Sequence, residues 1–432
     1  MINQIKKFLR PFVSEKFIIW THKMRAIIAA LYYGYPAKRL KVIGVTGTNG
    51  KTTVCHLVDA ILEEAGFQVA MATTIDFKIG SNKVVNEYKM TTLSPFLVQK
   101  FLRDAVSAGC QYAIIETTSH ALIQNRVWGI KYHGVVLTNI THDHLDYHKT
   151  YGEYKEAKIL LFAHNPKFSV INADDEAASD FSKMIAGKTY LYGLDNKSDI
   201  TARKVIMEPN GSLITVITPD GQIPINLNLP GKFNIYNALA AVSVGFAEDL
   251  ELTTIKKALE KIKGISGRME QINCGQDFGV IIDFAHTPDG LQKVFETVKN
   301  MTKGRIIHVG GATGNRDKTK RPILGSLAGR YADIAIVTDE DPYNEDPKVI
   351  IEQVSEGVVR GATKDNPKKL GENFFKILNR KAAILKAISL AKHGDVVLIT
   401  GKGAETKMAV GENQFIPWSD RQVVEEALGK KN

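Results

Sequence analysis

Lys51 and Thr52 close the run Val42-Ile-Gly-Val-Thr-Gly-Thr-Asn-Gly-Lys-Thr-Thr53, and by type and spacing they are the side chains best suited to phosphate chemistry. An apolar strand there enters a glycine turn at the mouth of a helix. Gly47 and Gly50 let backbone amides converge on phosphate oxygens, with Thr48, Asn49 and Thr53 completing the loop. Lys51 brings a cation to the outer phosphates, the Thr52 hydroxyl can ligate Mg2+, and the helix dipole adds to the field. Val45 stands where the usual pattern has glycine, so the shorter form Gly-x-x-Gly-Lys-Thr remains. A bound nucleotide is expected; the alternative is a tight strand-to-helix turn with an incidental lysine.

Two further polar clusters follow apolar runs. Glu116 closes Tyr112-Ala-Ile-Ile-Glu116 and precedes Thr117-Thr-Ser-His120; Asn139 closes Gly134-Val-Val-Leu-Thr-Asn139 and precedes Thr141-His-Asp-His-Leu-Asp-Tyr-His148. A carboxylate and an imidazole near such a loop suit a Mg-ATP site, where the metal neutralises charge on the phosphates. His142, His144 and His148 with Asp143 and Asp146 could instead form a transition-metal site, although their spacing matches no common zinc pattern.

These residues need strands that end together. Buried runs at 68–73, 112–116, 134–139 and 168–172 alternate with helical patterns and imply a mostly parallel α/β sheet. Shorter alternating runs over 200–229 suggest an antiparallel patch, followed by helices near 233–248 and 253–263. A second alternating series at 280–283, 305–309, 334–338 and 395–400 predicts a Rossmann-like α/β unit. The expected division is a basic helical segment at 1–40, a central ATP-binding domain at 41–265 and a C-terminal domain at 266–432. Ligands in such sheets bind beyond the carboxyl ends of the strands.

With 432 residues, 44% hydrophobic and 24% charged, the chain has ordinary globular chemistry. Cys55, Cys110 and Cys274 are scattered, which speaks against a disulfide framework or structural zinc and for a reducing cytosol. The net charge of +10 is concentrated: residues 1–41 hold nine Lys or Arg against Glu15 alone. That disfavours nucleic acid as partner. The basic segment also contains Phe8, Phe12, Phe17, Ile18, Ile19, Trp20 and Ala26-Ile-Ile-Ala-Ala-Leu-Tyr-Tyr33, so it suits either a helical hairpin packed on the body or contact with an anionic membrane face. A cytoplasmic monomer is expected, with possible placement at the inner face of the membrane.

Nine spaced blocks resemble the Mur ligase family, and within it the tripeptide synthetases of peptidoglycan precursor synthesis. They are Gly44–Thr53, Thr91-Thr92, Glu116–Leu122, Thr138–His148, Leu229–Leu239, Gly267-Arg-Met-Glu270, Asp283–Pro288, Asn315–Pro322 and Gly401-Lys-Gly403, in family order. The resemblance implies that ATP phosphorylates a substrate carboxylate and an amine then displaces phosphate. It implies Lys51 on the outer phosphates, Thr52 and Glu116 on one Mg2+, and His144 with Glu116 on a second. Lys158, in Glu153-Tyr-Lys-Glu-Ala-Lys158, matches the lysine the family carries as a carbamate, an anion where an ammonium would repel metals. Read alone, Lys158 is a solvated helix lysine. Asn139, Asn234, Asn237, Arg268 and Asp283 match positions around the nucleotide; capping and interdomain hydrogen bonding are their plainer reading.

Thr91, Thr92, Ser119 and Arg126 match residues that hold the muramyl-peptide substrate, and Arg316 the grip on the amino acid's α-carboxylate. Members using meso-diaminopimelate carry Asp-Asn-Pro-Arg where this chain reads Asp339-Glu-Asp-Pro-Tyr-Asn344, with Tyr343 in the arginine's place. Acidic character at Glu340, Asp341 and Glu405 then favours a side-chain ammonium, so L-lysine or a similar diamino acid is expected over diaminopimelate. Ala404 replaces the histidine common after Gly-Lys-Gly. Tripeptide synthetases hold the UDP moiety with a domain before the P-loop that about 40 residues cannot build, so this chain is expected to hold that end differently or to use another substrate. Folylpolyglutamate synthetases share the plan, and a non-catalytic ATP-binding protein of the same fold is a further alternative. The amidating partner of a glutaminase is disfavoured because its zinc-binding cysteines are missing.

Overall fold

The computed structural model describes residues 15–185, 187–411 and 413–429, apart from the side chains of Glu15, Lys16, Leu145 and Asp146. The expectations for Phe8 and Phe12 and for the rest of the first fourteen residues lie outside that range.

Eight strands form the larger sheet: β1 (Lys41–Thr46), β2 (Val69–Ala72), β3 (Asp76–Ile79), β4 (Asn82–Val85), β5 (Tyr112–Glu116), β6 (Tyr132–Leu137), β7 (Phe168–Asn172) and β8 (Lys188–Tyr192). Their order is β4-β3-β2-β5-β1-β6-β7-β8, parallel from β2 to β8, with β3 and β4 antiparallel. Alternate residues of the parallel strands enter two cores. Ile43, Val45 and Ile114 pack with the helices Lys51–Glu64 and Lys232–Ala247, whereas Val42, Ala113 and Ile115 pack with the helix Pro95–Ser107. Both faces are covered, so these strands read as unbroken apolar runs.

Three antiparallel strands, β9 (Thr201–Glu208), β10 (Gly211–Thr218) and β11 (Gly221–Leu227), form the patch expected over 200–229. A second large sheet comprises β12 (Glu270–Gln271), β13 (Gly279–Asp283), β14 (Ile306–Gly310), β15 (Ile334–Thr338), β16 (Phe374–Ile377) and β17 (Val396–Thr400). Its order is β12-β13-β17-β14-β15-β16, parallel from β13 to β16. Two hairpins escaped the sequence reading, β3-β4 and that of β18 (Lys407–Gly411) with β19 (Gln414–Pro417). These strands are only four or five residues long, too short for an alternating apolar pattern to stand out from the surrounding loops.

Register places the functional groups. Val45 of β1 pairs with Glu116 of β5 and with Val136 of β6. Glu116 and the pair Thr138-Asn139 therefore flank the glycine loop after β1. In the second sheet Asp283 of β13 pairs with Thr400 of β17, bringing the 283–288 and 401–405 segments to one edge. The carboxyl ends of both sheets contribute walls to one cleft of about 1080 Å³.

Candidate functional site

The glycine loop is built on positions that exclude side chains. Gly47 has φ 145° and a Cβ there would lie 1.9 Å from Thr138 Oγ1; Gly50 has φ 85° and a Cβ would lie 2.3 Å from Asn237 Oδ1. The loop is locked to the β6 end: Thr48 N donates to Asn139 O (2.7 Å), Asn49 N to Asn139 Oδ1 (3.0 Å), and Thr138 Oγ1 and Asn139 Nδ2 donate to Asn49 O (2.7 and 3.0 Å). Asn139 is thus a loop-holding residue here. Lys51 begins the following helix, and its Nζ donates to Thr48 O at 2.8 Å, across the loop mouth. Thr52 Oγ1 donates to Glu116 Oε2 (2.9 Å), which also accepts from Thr74 N (2.9 Å). A hard divalent cation takes oxygen ligands, and this buried hydroxyl and carboxylate, both on the cleft wall, fit one. Thr53 lines the cleft one residue further on.

Lys158 is not a solvated helix lysine. It is 2% exposed, its Nζ donates to Gly47 O at 2.7 Å, and it lies 4.5 Å from the Tyr154 ring centre. Burial, reinforced by Lys51, pushes its amine well below the ordinary lysine range. Tyr154 OH meets Thr48 Oγ1 at 3.0 Å, so the helix Tyr151–Ile159 sits directly behind the glycine loop. His144, at φ 55°, points Nε2 to Asp143 Oδ2 (3.3 Å), and burial holds its imidazole well below the usual range. His120 packs edge-on to His144 at 4.9 Å, and burial lowers it to about 3. Among the described residues no three His, Cys, Asp or Glu side chains converge as a metal cage. Of the candidate transition-metal set, Asp143 is taken by Lys320 (2.9 Å) and His148 by Ser119 (2.9 Å), and the Asp146 side chain lies outside the described atoms.

The second sheet reaches the loop. Arg268 Nη2 donates to Thr52 Oγ1 (3.1 Å) while its guanidinium lies over the Phe284 ring at 4.4 Å. Asp283 accepts from Met269 N and Ala285 N, both at 2.7 Å, and burial raises its carboxyl despite Arg268 beside it. Asn49 Nδ2 donates to Asp289 Oδ2 (2.9 Å), and its Oδ1 accepts from Thr287 Oγ1 (3.1 Å). Lys320–Asp143 is a buried ion pair across the cleft. Burial alone would raise the Asp143 carboxyl, but His144 and Lys320 hold it below its usual range. Asp289 and Lys320 were not singled out from the sequence, and Asp143 was read only as a candidate metal ligand, because these pairings appear only when the other sheet is in place.

Not every expected residue faces the cleft. Asn237 does, but Asn234 lies behind it, donating to Pro230 O and accepting from Asn237 Nδ2. Thr91 lines the cleft; Thr92 is turned inward, its Oγ1 donating to Glu116 O (2.8 Å). Ser119 is buried against His148, and its neighbour Thr118 is on the wall, the cap residue of the helix Ser119–Ile123. Arg126 donates to Thr92 O (2.9 Å) and to Gln124 Oε1 (2.6 Å from Nη2), bracing the Thr91-Thr92 segment from behind.

The acidic corner needs a correction. Arg316, Glu340, Asp341, Tyr343 and Glu405 do line one end of the cleft. Two lysines already answer the carboxylates. Lys402, fully buried, donates to Asp341 (2.9 Å) and Glu405 (2.5 Å), and Lys89, from the loop before Thr91, donates to Asp341 (2.8 Å) and lies 3.1 Å from Glu405. Burial lowers Lys89, but Glu405 and Asp341 outweigh it and raise its pKa. Glu340 accepts from Thr313 Oγ1 (2.8 Å), and its burial raises its carboxyl. The corner is two carboxylates against two ammoniums and not a free acidic patch. The sequence reading missed this because Lys89 lies some 250 residues from its partners.

Residues 45–245 match the family model described as the Mur ligase middle domain, and residues 267–403 match the Mur ligase glutamate ligase domain. A UDP-N-acetylmuramoyl-L-alanyl-D-glutamate--2,6-diaminopimelate ligase of Bacillus cereus is 40% identical over 416 residues, covering 94% of this chain and 82% of that protein. The ligase of the same description from Clostridium botulinum is 40% identical over 410 residues, with the same coverage. A solved structure of a ligase of that description superposes with TM-score 0.64 at 29% identity, covering 94% of this chain and 82% of its own. A Mycobacterium tuberculosis folylpolyglutamate synthase structure gives 0.72 at 16% identity, covering 94% and 95%, which is a likeness of fold. Fold and relatives together define an ATP-dependent amino-acid ligase. The chain belongs to the Mur ligase family, whose members use ATP and Mg2+ to form amide bonds in peptidoglycan synthesis.

Proposed function

We propose that this ligase joins an amino acid, a diamino acid such as L-lysine before meso-diaminopimelate, to the free carboxylate of a muramyl peptide. The observation that carries the reading is one cleft whose lining includes both a phosphate-type loop at Lys51-Thr52 and Arg316 together with Asp341 and Glu405, two carboxylates that hold the Lys89 ammonium. The substrate carboxylate attacks the terminal phosphorus of ATP and ADP leaves. The amine nitrogen then attacks the acyl carbon, the C–O bond to phosphate breaks, and the nitrogen gives up a proton.

Lys51 would hold the outer phosphates throughout, as its amine already closes the loop mouth. Thr52 and Glu116 would hold one Mg2+, and Glu116, His144 and Lys158 a second. As an ammonium Lys158 would only donate and would repel a metal, so it suits one after its neutral amine reacts with CO2, in which a C–N bond forms and one proton is released. Burial favours the neutral amine that reaction needs. Arg268, Asp283, Asn139, Asn234 and Asn237 would shape the nucleotide end, directly or through the loop. Thr91 would contact the muramyl peptide, with Thr92, Ser119 and Arg126 supporting it.

The Bacillus cereus and Clostridium botulinum relatives are named as 2,6-diaminopimelate ligases. Tyr343 in place of an arginine removes a partner for the second carboxylate. Lys89 Nζ between Asp341 and Glu405 marks where a distal ammonium would sit, exchanging with Lys89 as the acceptor enters. ATP as substrate supports a cytoplasmic location, and one chain supplying both walls supports a monomer. The test is phosphate release across UDP-muramyl peptides, lipid-linked muropeptides and folates against lysine, ornithine, diaminopimelate and alanine. Release with a muramyl peptide and lysine is expected; release only with diaminopimelate, or only with folates, would overturn the acceptor or the branch.

A further inference from the structure

The helix Glu15–Tyr32 has two apolar faces. Ala26, Ala29 and Ala30, at most 1% exposed, form the inner face, and this helix packs on the helix Pro95–Ser107. The alanines permit a close approach: a Cβ on Gly129 would stand 3.1 Å from Ala30 Cβ. The outer face carries Trp20 (55% exposed), Met24 (36%), Ile28 (52%) and Leu31 (59%), with Tyr32 (76%) at its end. Spacings of four, four and three put them on one stripe. At about 100° per residue, Lys23 falls about 60° to one side of Trp20 and Arg25 about 140° to the other; both are exposed. A helix serving only the fold would carry polar residues on that outer stripe.

We propose that this outer face docks in the plane of an anionic phospholipid bilayer, its apolar stripe entering the headgroup boundary and Lys23 and Arg25 meeting the phosphates. Charge complementarity selects this occupant. The first 41 residues hold nine Lys or Arg against one acid, a density that attracts an anionic surface and repels a second copy of itself. No helix among the described residues is long and apolar enough to cross a membrane, so the contact is peripheral. Such docking would hold the enzyme at the surface where lipid-linked precursors and other anionic amphiphiles concentrate.

The test is flotation of the full chain with phosphatidylglycerol or phosphatidylcholine vesicles, alongside tryptophan emission. Partition to phosphatidylglycerol, weak partition to phosphatidylcholine, and a blue shift lost in Trp20→Phe are expected. Lys23→Gln and Arg25→Gln should each weaken partition roughly fivefold, and the triple change Trp20→Ser, Ile28→Ser, Leu31→Ser should abolish it while phosphate release in solution stays unchanged. No partition, equal partition to both lipids, or partition that survives the triple change would overturn the proposal. So would a concentration-dependent dimer in sedimentation that the triple change dissociates, since the face would then belong to a second copy.

Discussion

At the scale of single residues the decisive fact is that side chains ordinary in type become unusual by position. Lys158 is one of many lysines in sequence, yet its amine is buried against Gly47 O. Lys158→Ala should abolish turnover, and short carboxylic acids should partly restore it in a phosphate-release assay; undiminished activity would refute the carbamate role. Gly50→Ala should be strained by about 1–3 kcal/mol for the left-handed conformation alone, before its Cβ meets Asn237. Isothermal titration should show weakened ATP binding with the fold retained. The glycines, Lys51 and Thr52 were legible in sequence because the loop's demands are local. The pairings of Lys89 and Lys402 with Asp341 and of Lys320 with Asp143 were not, because each depends on a partner on a distant segment. Lys89→Met removes the ammonium that competes for Asp341 and Glu405, so it should lower KM for a diamino acid more than it changes kcat, which acceptor kinetics would show.

At the scale of elements, β1, β5 and β6 are tied at their starts to the end of the helix Lys232–Ala247 through Glu248. Tyr112 OH donates to its carboxylate at 2.5 Å, Lys41 Nζ at 2.7 Å, and the His133 ring contacts the other oxygen. Burial would raise Glu248, but these partners hold it down at about 2. Because its pKa is depressed on folding, the stability it contributes is present above the ordinary glutamate range and is lost as pH falls from about 4.5 towards 2. Glu248→Gln should therefore lower stability at neutral pH by about 2 kcal/mol, and thermal melts of wild type and variant should converge towards pH 2. Elements themselves were largely readable: most parallel strands and the two long helices fall within a residue or two of their apolar runs, β6 starting two residues early. Hairpins β3-β4 and β18-β19 were not, since strands of four or five residues are too short to show a period-two apolar signal.

At the scale of the whole molecule, buried and half-buried polar links join the two sheets, among them Lys320–Asp143, Arg268–Thr52, Asn49–Asp289 and Lys89–Asp341. Lys320→Met leaves Asp143 buried without its ammonium, so the sheets should separate. Small-angle scattering should show a larger radius of gyration, and kcat/KM should fall on the order of 100-fold through misplaced groups. The sequence by itself determined the α/β class, the glycine loop, the order of the motif blocks and hence the family, because strand burial, turn geometry and phosphate binding are each written in neighbouring residues. Only the tertiary structure decided that Lys158 is buried behind the loop, that the acidic corner is neutralised by Lys89 and Lys402, and that the first described helix keeps an exposed apolar face. Each of these depends on which distant segments pack together, and that follows from the register of the sheets and the closing of one against the other.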